Sequence, residues 1–191
     1  MTPLRLAPLL GAALATLLIV VASQAYPGGY DWLNQSISSL FQPTAENGEV
    51  NSARWLASAG VILFCASMAV IFALVAQRAP SRAHFKATQI AGIGSMVYAA
   101  LVTTPMHDAL VLVALAFFLV AMLAILHGLF LERRLRSLAF GALTLALVLA
   151  NASMYYGELS GGFLPVVQKV SVCMWVPWLF VLAYSEKATS A

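Results

Sequence analysis

Six long apolar runs constrain this chain more than any other feature of its sequence. A stretch of about 20 apolar residues can cross the roughly 30 Å of hydrocarbon in a bilayer as an α-helix. The runs lie at about 6–25, 55–77, 88–104, 109–131, 137–156 and 164–184. Hydrophobic residues make up 62% of the chain and charged residues only 9%, which excludes an ordinary soluble fold. The sequence therefore predicts an all-α fold, a polytopic six-helix transmembrane bundle forming a single domain over residues 1–191.

The longest polar passage, residues 26–54, follows the first run. Tyr26-Pro27-Gly28-Gly29-Tyr30 breaks a helix arriving from that run, because proline fixes φ and glycine accepts turn geometries. Asp31 is a good N-cap residue, and Pro43 is a good stop. Between them, apolar residues recur at helical spacing: Leu33, Ile37, Leu40 and Phe41. This pattern predicts a short amphipathic loop helix from Asp31 to Phe41, closely packed on the mouth of the bundle, and then a solvated loop.

The distribution of Lys and Arg predicts the orientation of the bundle. Short cytoplasmic connections retain positive charge. Only Arg54 and Lys169 fall on the same side as the polar passage. The other Lys and Arg residues fall on the opposite side: Arg5, Arg78, Arg82, Lys86, Arg133, Arg134, Arg136 and Lys187. Both termini are therefore predicted to be cytoplasmic, and the polar passage extracytoplasmic.

Polar residues of the spans concentrate at the predicted outer ends, where their cost inside a membrane is offset by partners or water. Asn151, Tyr155 and Glu158 are spaced to share one helical face. Gln168 and Lys169 lie about one turn into the last span, and a lysine there pairs with an acid or extends to the interface. The predicted ligand-binding residues are Asp31, Asn34, Asn151, Tyr155, Glu158, Gln168 and Lys169.

His107 and Asp108 are the candidate catalytic residues. They follow Thr104-Pro105-Met106, a segment that also suits the start of a helix. An imidazole beside a carboxylate on the outer side can act as acid, base or ligand. Adjacent residues do not face one another on a helix, so a direct pair is not expected. The sequence further predicts that one outer pocket gathers six residues: Asp31, His107, Asp108, Tyr155, Glu158 and Lys169.

The sequence predicts neither a metal nor another cofactor. Of the three histidines, His107 is expected outside, His127 near the cytoplasmic end of the fourth span and His84 in a cytoplasmic loop, so no two share a depth. Cys65 and Cys173 lie inside spans and form no CxxC motif. Because the basic residues are clustered between spans, the pI of about 9.1 does not indicate a nucleic-acid partner.

Several short motifs resemble those of a known family of membrane proteins. They are Tyr26-Pro27-Gly28-Gly29-Tyr30, Asn34-Gln35-Ser36-Ile37-Ser38-Ser39-Leu40, Thr104-Pro105-Met106-His107-Asp108, Gly162-Phe163 and Gln168-Lys169. The chain resembles the six-span bacterial proteins grouped as DUF998. The resemblance implies a bacterial cytoplasmic (inner) membrane and this topology, but no established activity. The chain departs from the family pattern in a second glycine before Tyr30 and in Ser39, which replaces an acid.

Three functional hypotheses follow from these features, and they leave open whether the protein is an enzyme. The first is a membrane protein whose outer mouth binds a lipid headgroup or small amphiphile, or docks a membrane-protein partner. The second is a membrane-embedded lipid hydrolase or transferase that uses His107 with nearby acids. A small-molecule transporter comes third, because the two halves of the chain show no internal repeat.

Overall fold

A computed structural model of the protein describes residues 3–104, 106–157 and 162–185. These residues form six long helices: α1 (Pro3–Gln24), α2 (Arg54–Ala76), α3 (Arg82–Ala100), α4 (His107–Leu131), α5 (Leu135–Tyr156) and α6 (Leu164–Tyr184). Six helical segments, in which α3 continues to Thr103, are long and apolar enough to cross a membrane. The described residues contain no β-strand. The predicted all-α, six-span fold is therefore confirmed.

The helix α2 lies at the centre of the bundle. It packs against α1, α3 and α6, and half of its membrane-length segment is buried inside the protein. Phe72 of α2 is completely buried, and a side chain at Gly92 of α3 would collide with its ring. Small residues let helix backbones approach closely, which is how membrane helices gain packing energy. Gly92 therefore explains why α3 lies so close to α2.

The helix α5 lies at the edge of the bundle, with only 11% of its membrane-length segment buried. Its main neighbour is α6. Gly141 of α5 leaves the space that the indole of Trp178 occupies, and the indole N–H donates to the Ser137 carbonyl at 3.0 Å. One turn of α5 is therefore fixed to α6, while most of its apolar surface is left to face lipid.

The two ends of the bundle differ in composition and are named here by what they carry. The terminal face carries the start of α1, the end of α6 and the α2–α3 and α4–α5 turns. There the Tyr184 hydroxyl donates to the Arg5 carbonyl at 2.6 Å. The loop face carries residues 25–53 and the α3–α4 and α5–α6 connections. Apart from Glu158, which lies outside the described residues, the predicted ligand-binding and catalytic residues belong to the loop face or to the half of α5 nearest to it.

The helix α3 begins earlier than the apolar run that predicted it. Ser81 is its N-cap, and its hydroxyl accepts a hydrogen bond from the His84 backbone N–H at 3.3 Å. A serine cap starts a helix regardless of whether the first turn is apolar. The prediction that His84 lies in a loop is therefore wrong, since it belongs to the first turn of α3.

Candidate binding site at the loop face

The segment after α1 turns sharply because two consecutive glycines adopt left-handed backbone angles, with φ of 75° at Gly28 and 88° at Gly29. Other residues reach this region only at a cost. A side chain at Gly28 would also meet the Asn47 amide at 2.7 Å. The turn places Tyr26 in the protein interior, where its hydroxyl accepts from the Glu46 backbone N–H at 3.1 Å. The glycine pair therefore folds the loop back over the end of α1.

Asp31 organises a turn. Its carboxylate accepts from the backbone N–H groups of Leu33 at 2.8 Å and Asn34 at 3.2 Å, and from the Asn34 side-chain amide at 2.7 Å. The Gln35 backbone N–H then returns to the Asp31 carbonyl at 2.9 Å. The Asn34 amide, these backbone donors and the charge of Lys169 hold the pKa of Asp31 below its ordinary value. Asp31 therefore caps a single turn that ends at Gln35, and not the predicted longer helix.

The loop helix is shorter than its sequence pattern predicts. It is a single 3-10 segment, Ile37–Phe41, and the predicted start at Asp31 is wrong because the turn there comes first. Leu33 is consequently 67% exposed, contrary to the predicted apolar stripe. Leu40 and Phe41 are buried as expected, against Ala22 and Ala57 of the first two helices. The loop is therefore packed on the bundle, but through fewer side chains than predicted.

Asn51 holds the C-terminal end of the loop helix in place. Its side chain is buried, and its amide N–H groups donate to the carbonyls of Leu40 and Gln42, each at 3.0 Å. These carbonyls end the helix and would otherwise lack partners. Sequence reasoning missed Asn51, because the loop contains many polar residues and no sequence signal shows which of them is buried.

Gln168 and Lys169 of α6 hold the loop from the side. The Gln168 side-chain oxygen accepts from the Ile37 backbone N–H at 2.9 Å. Lys169 Nζ donates to the Gln35 carbonyl at 2.6 Å and to the Pro165 carbonyl at 3.2 Å, and it lies 5.8 Å from the centre of the Tyr30 ring. These groups, with Asp31 and Asn34, form the loop cluster. Tyr30 and Gln35 were also missed by sequence reasoning.

Among the described residues, the hydrogen-bond partners of Lys169 Nζ are carbonyl oxygens and not the expected acid. Among the residues that the structure describes, no carboxylate lies within 4.0 Å of Nζ. Asp31 is nonetheless near enough for the Lys169 charge to contribute to the lowering of its pKa. The sequence offers two other acids as partners for Lys169, Asp108 and Glu158. Asp108 accepts from Tyr155 instead, and Glu158 lies outside the described residues.

A second group of polar residues joins α4 to α5. The Tyr155 hydroxyl donates to Asp108 Oδ1 at 2.6 Å, and the Tyr156 hydroxyl donates to the Asp108 backbone carbonyl at 3.4 Å. His107 Nδ1 lies 3.0 Å from the same Asp108 oxygen. The expectation that His107 and Asp108 do not pair is wrong, because His107 is the first residue of α4 and no preceding helical turn directs its ring away. His107, Asp108, Tyr155 and Tyr156 form the α4–α5 cluster.

Asn151 lies one turn below Tyr155 on α5. Its side-chain oxygen is buried and has no hydrogen-bond partner within the described part of the chain. The two clusters belong to the same face of the bundle, but no hydrogen bond between described residues joins them. A single pocket that gathers both clusters stays a prediction.

The histidines are not scattered as predicted. At the terminal face, His84 Nε2 lies 2.9 Å from His127 Nδ1, and the Ser81 hydroxyl lies 2.7 Å from His84 Nδ1. The early start of α3 brings His84 beside α4, so the expectation that no two histidines share a depth is wrong. In the described ranges, no three His, Cys, Asp or Glu side chains are grouped closely enough to hold a metal ion.

The apolar helices and the loop fixed across them define a multi-pass α-helical integral membrane protein. A family model described as "Protein of unknown function (DUF998)" matches residues 9–184. The chain therefore belongs to the DUF998 family, as the resemblance of its motifs predicts. The family description assigns no activity. No curated protein and no solved structure matches the chain.

Proposed function

We propose that the loop face binds the headgroup of a membrane lipid or of another small amphiphile, and that Lys169 contacts the anionic group of that headgroup. The observation that carries this proposal is the set of partners around Lys169 Nζ. Among the described residues they are two neutral carbonyl oxygens and an aromatic face. Carbonyl oxygens satisfy hydrogen bonds but do not cancel the positive charge.

The chemistry of an ammonium group favours an acidic ligand at this position. It has three N–H donors, and described residues accept from it at two places. A charged side chain costs about 2.5–3.5 kcal/mol on insertion scales at the centre of a membrane span, and less near the end of a span, where Lys169 lies. A phosphate or carboxylate supplies both the third acceptor and the opposite charge. Because α6 also faces the bilayer, a lipid can place its headgroup here and its chains along the apolar helices.

Asp31 and Tyr30 give the loop cluster a second recognition element. The Asp31 carboxylate is exposed, and its pKa is lowered, first by the Asn34 side-chain amide, which further favours its charged form. The Tyr30 ring, which lies near Lys169 Nζ, offers a face to a cationic group. A zwitterionic headgroup, with phosphate at Lys169 and an ammonium at Asp31, therefore matches the local charges.

The proposed orientation places the loop face outside a bacterial cytoplasmic membrane and both termini inside. The asymmetry of Lys and Arg supports it, since only Arg54 and Lys169 belong to the loop-face side of the chain. In this orientation the headgroups that reach Lys169 are those of the outer leaflet.

Native mass spectrometry tests the proposal on protein released from nanodiscs that contain phosphatidylglycerol and phosphatidylethanolamine. Lys169→Met removes the charge, Arg54→Gln removes the other loop-face cation, and Gln168→Ala loosens the loop while keeping Lys169. We expect Lys169→Met alone to lose the retained lipid. Equal retention by all three variants would overturn the proposal. Equal loss in Lys169→Met and Gln168→Ala would contradict direct contact between Lys169 and the anion.

The α4–α5 cluster supports a second candidate, a lipid hydrolase or transferase. The Asp108 carboxylate lies 3.0 Å from His107 Nδ1. This contact can orient the imidazole so that the other ring nitrogen, Nε2, serves as a base. The Tyr155 hydroxyl shares that carboxylate. Incubating the reconstituted protein with a bacterial lipid extract, and following the lipids by mass spectrometry, tests this candidate. Product formation by the wild type that His107→Gln abolishes would support it; identical lipid profiles would exclude it for those lipids.

A further inference from the structure

A crevice opens at the terminal face, on the opposite side of the bundle from Lys169. It lies between the ends of α2, α3, α4 and α6, and the space between its atoms is about 370 Å³, including the part open to solvent. Its walls are apolar, and two of its four polar lining residues are arginines. The lining includes Val75, Ile125, Leu129 and Leu182 as apolar members, and Arg78, Thr88, Glu132 and Arg134 as polar ones.

Two turns bring arginines to this crevice. After α2, the Arg78 backbone N–H returns to the Val75 carbonyl at 3.0 Å, and Pro80 then packs on α4, where a side chain at Gly128 would meet it at 3.1 Å. After α4, Arg133 adopts a φ of 54°, which is uncommon for a residue with a side chain. That left-handed residue reverses the chain, and the Arg134 backbone N–H bonds the Leu129 carbonyl at 2.9 Å. Arg134 therefore lines the crevice, whereas Arg133 is exposed.

The crevice carries more positive than negative charge. Burial, followed by the charges of Arg5 and Arg134, lowers the pKa of Arg78, so each of these two guanidinium groups lies close enough to Arg78 to repel it. Glu132 is the only acidic residue of the lining, and its carboxylate lies 3.9 Å from Arg134. No side-chain hydrogen bond or ion pair among described residues involves the Arg78 guanidinium, although such a group has five N–H donors.

We propose that this crevice binds the phosphate group of an anionic lipid headgroup, with Arg78 and Arg134 as its ligands. A guanidinium presents paired donors that match two phosphate oxygens. The neighbouring apolar walls continue along the helices, so acyl chains can follow them into the bilayer. Basic pockets between helices at a cytoplasmic surface recognise anionic lipids in this way. The site is independent of the loop cluster, because it uses the opposite face and none of the same residues.

Lipid binding to the purified protein in mild detergent tests this proposal, with phosphatidylglycerol, phosphatidylcholine and inorganic phosphate as separate probes. We expect phosphatidylglycerol to bind, and Arg78→Gln to weaken it about tenfold, the loss of one charged ligand contact. Arg136→Gln is the matched control, because Arg136 is an exposed arginine of the same face, in the first turn of α5, that does not line the crevice. It should change the affinity by less than about twofold.

Two further measurements keep the test decisive if Arg78→Gln folds poorly. Glu132→Gln removes the one repulsive carboxylate and should tighten phosphatidylglycerol binding several-fold. Arg78→Lys keeps the charge but loses the paired donors, so it should fall between the wild type and Arg78→Gln. Equal affinity for phosphatidylglycerol and phosphatidylcholine, or equal losses in Arg78→Gln and Arg136→Gln, would overturn the proposal. Arginine-dependent binding of inorganic phosphate without any lipid binding would overturn the lipid assignment.

Discussion

Lys169 Nζ lies 2.6 Å from the carbonyl oxygen of Gln35, a residue 134 positions earlier in the chain. This hydrogen bond fixes the first loop to the start of the last helix. The adjacent Gln168 adds a second one, because its side-chain oxygen accepts from the Ile37 backbone N–H. Two neighbouring side chains of α6 therefore satisfy a carbonyl and an N–H on either side of Ser36, at the point where the turn passes into the loop helix. A charged donor makes such a bond stronger than a neutral one does.

Removing this charged tether should loosen the loop. We expect Lys169→Met to lower the free energy of unfolding by about 1–2 kcal/mol, because a hydrogen bond from a charged donor is lost from a half-exposed position. Equilibrium unfolding in mixed bicelles measures the change, and protease cleavage within residues 31–41 reports its location. If cleavage of that segment is as slow in the variant as in the wild type, Lys169 does not hold the loop.

Asn51 should be as important to the loop as Lys169, although it lies outside both clusters. Asn51→Ala leaves the carbonyls of Leu40 and Gln42 without their donor, and a buried group that loses its partner costs about 1–3 kcal/mol. The matched control is Asn47→Ala in the same loop. Asn47 is exposed, and its side-chain oxygen accepts only from the exposed Glu49 backbone N–H, at 3.0 Å, so this change should cost less than about 1 kcal/mol. Hydrogen exchange of the loop-helix amides checks both expectations, and equal protection in the two variants would contradict the role of Asn51.

The turn at Asp31 should weaken in acid. The pKa of Asp31 is lower in the folded protein than in the unfolded chain, mainly because its carboxylate accepts from Asn34 and Leu33. Its contribution to stability is therefore fully present above the unfolded value, about pH 4, and is lost as the pH falls through the folded-state value. Protease sensitivity of the loop should rise over that range in the wild type. Asp31→Asn should remove this part of the pH dependence, and an unchanged profile would exclude Asp31 as its source.

The orientation can be tested with single cysteines. In a Cys173→Ser background, Glu49→Cys lies in the exposed part of the loop and Arg136→Cys is exposed at the terminal face, while the natural Cys65 is buried. In intact cells, an impermeant maleimide should label Glu49→Cys and should label Arg136→Cys only after permeabilisation. The reverse pattern would overturn the proposed orientation and place the loop cluster in the cytoplasm.

The six spans could be predicted because each depends on a local property, the length of an apolar run. The loop could be predicted only in part, for a physical reason. The spacing of Leu33, Ile37 and Leu40 suits an α-helix, but the backbone of Gln35 and Ile37 bonds instead to two side chains of α6. A sequence pattern contains no information about such distant partners. The pairing of His84 with His127 was missed for a related reason, because one cap at Ser81 decides where α3 begins.

The strongest contact of the α4–α5 cluster, from the Tyr155 hydroxyl to Asp108 Oδ1, should appear as an energetic coupling between the two helices. In a double-mutant cycle, Asp108→Ala and Tyr155→Phe each remove the same 2.6 Å hydrogen bond, so together they should cost less than the sum of their separate effects on unfolding. Tyr156→Phe is the control, because its hydroxyl reaches only the Asp108 backbone carbonyl at 3.4 Å, which Asp108→Ala keeps. Its effect should add to that of Asp108→Ala. Additivity in both cycles would show that the hydroxyl of Tyr155 does not stabilise the protein through Asp108, and that Tyr155 does not hold the carboxylate that lies beside His107.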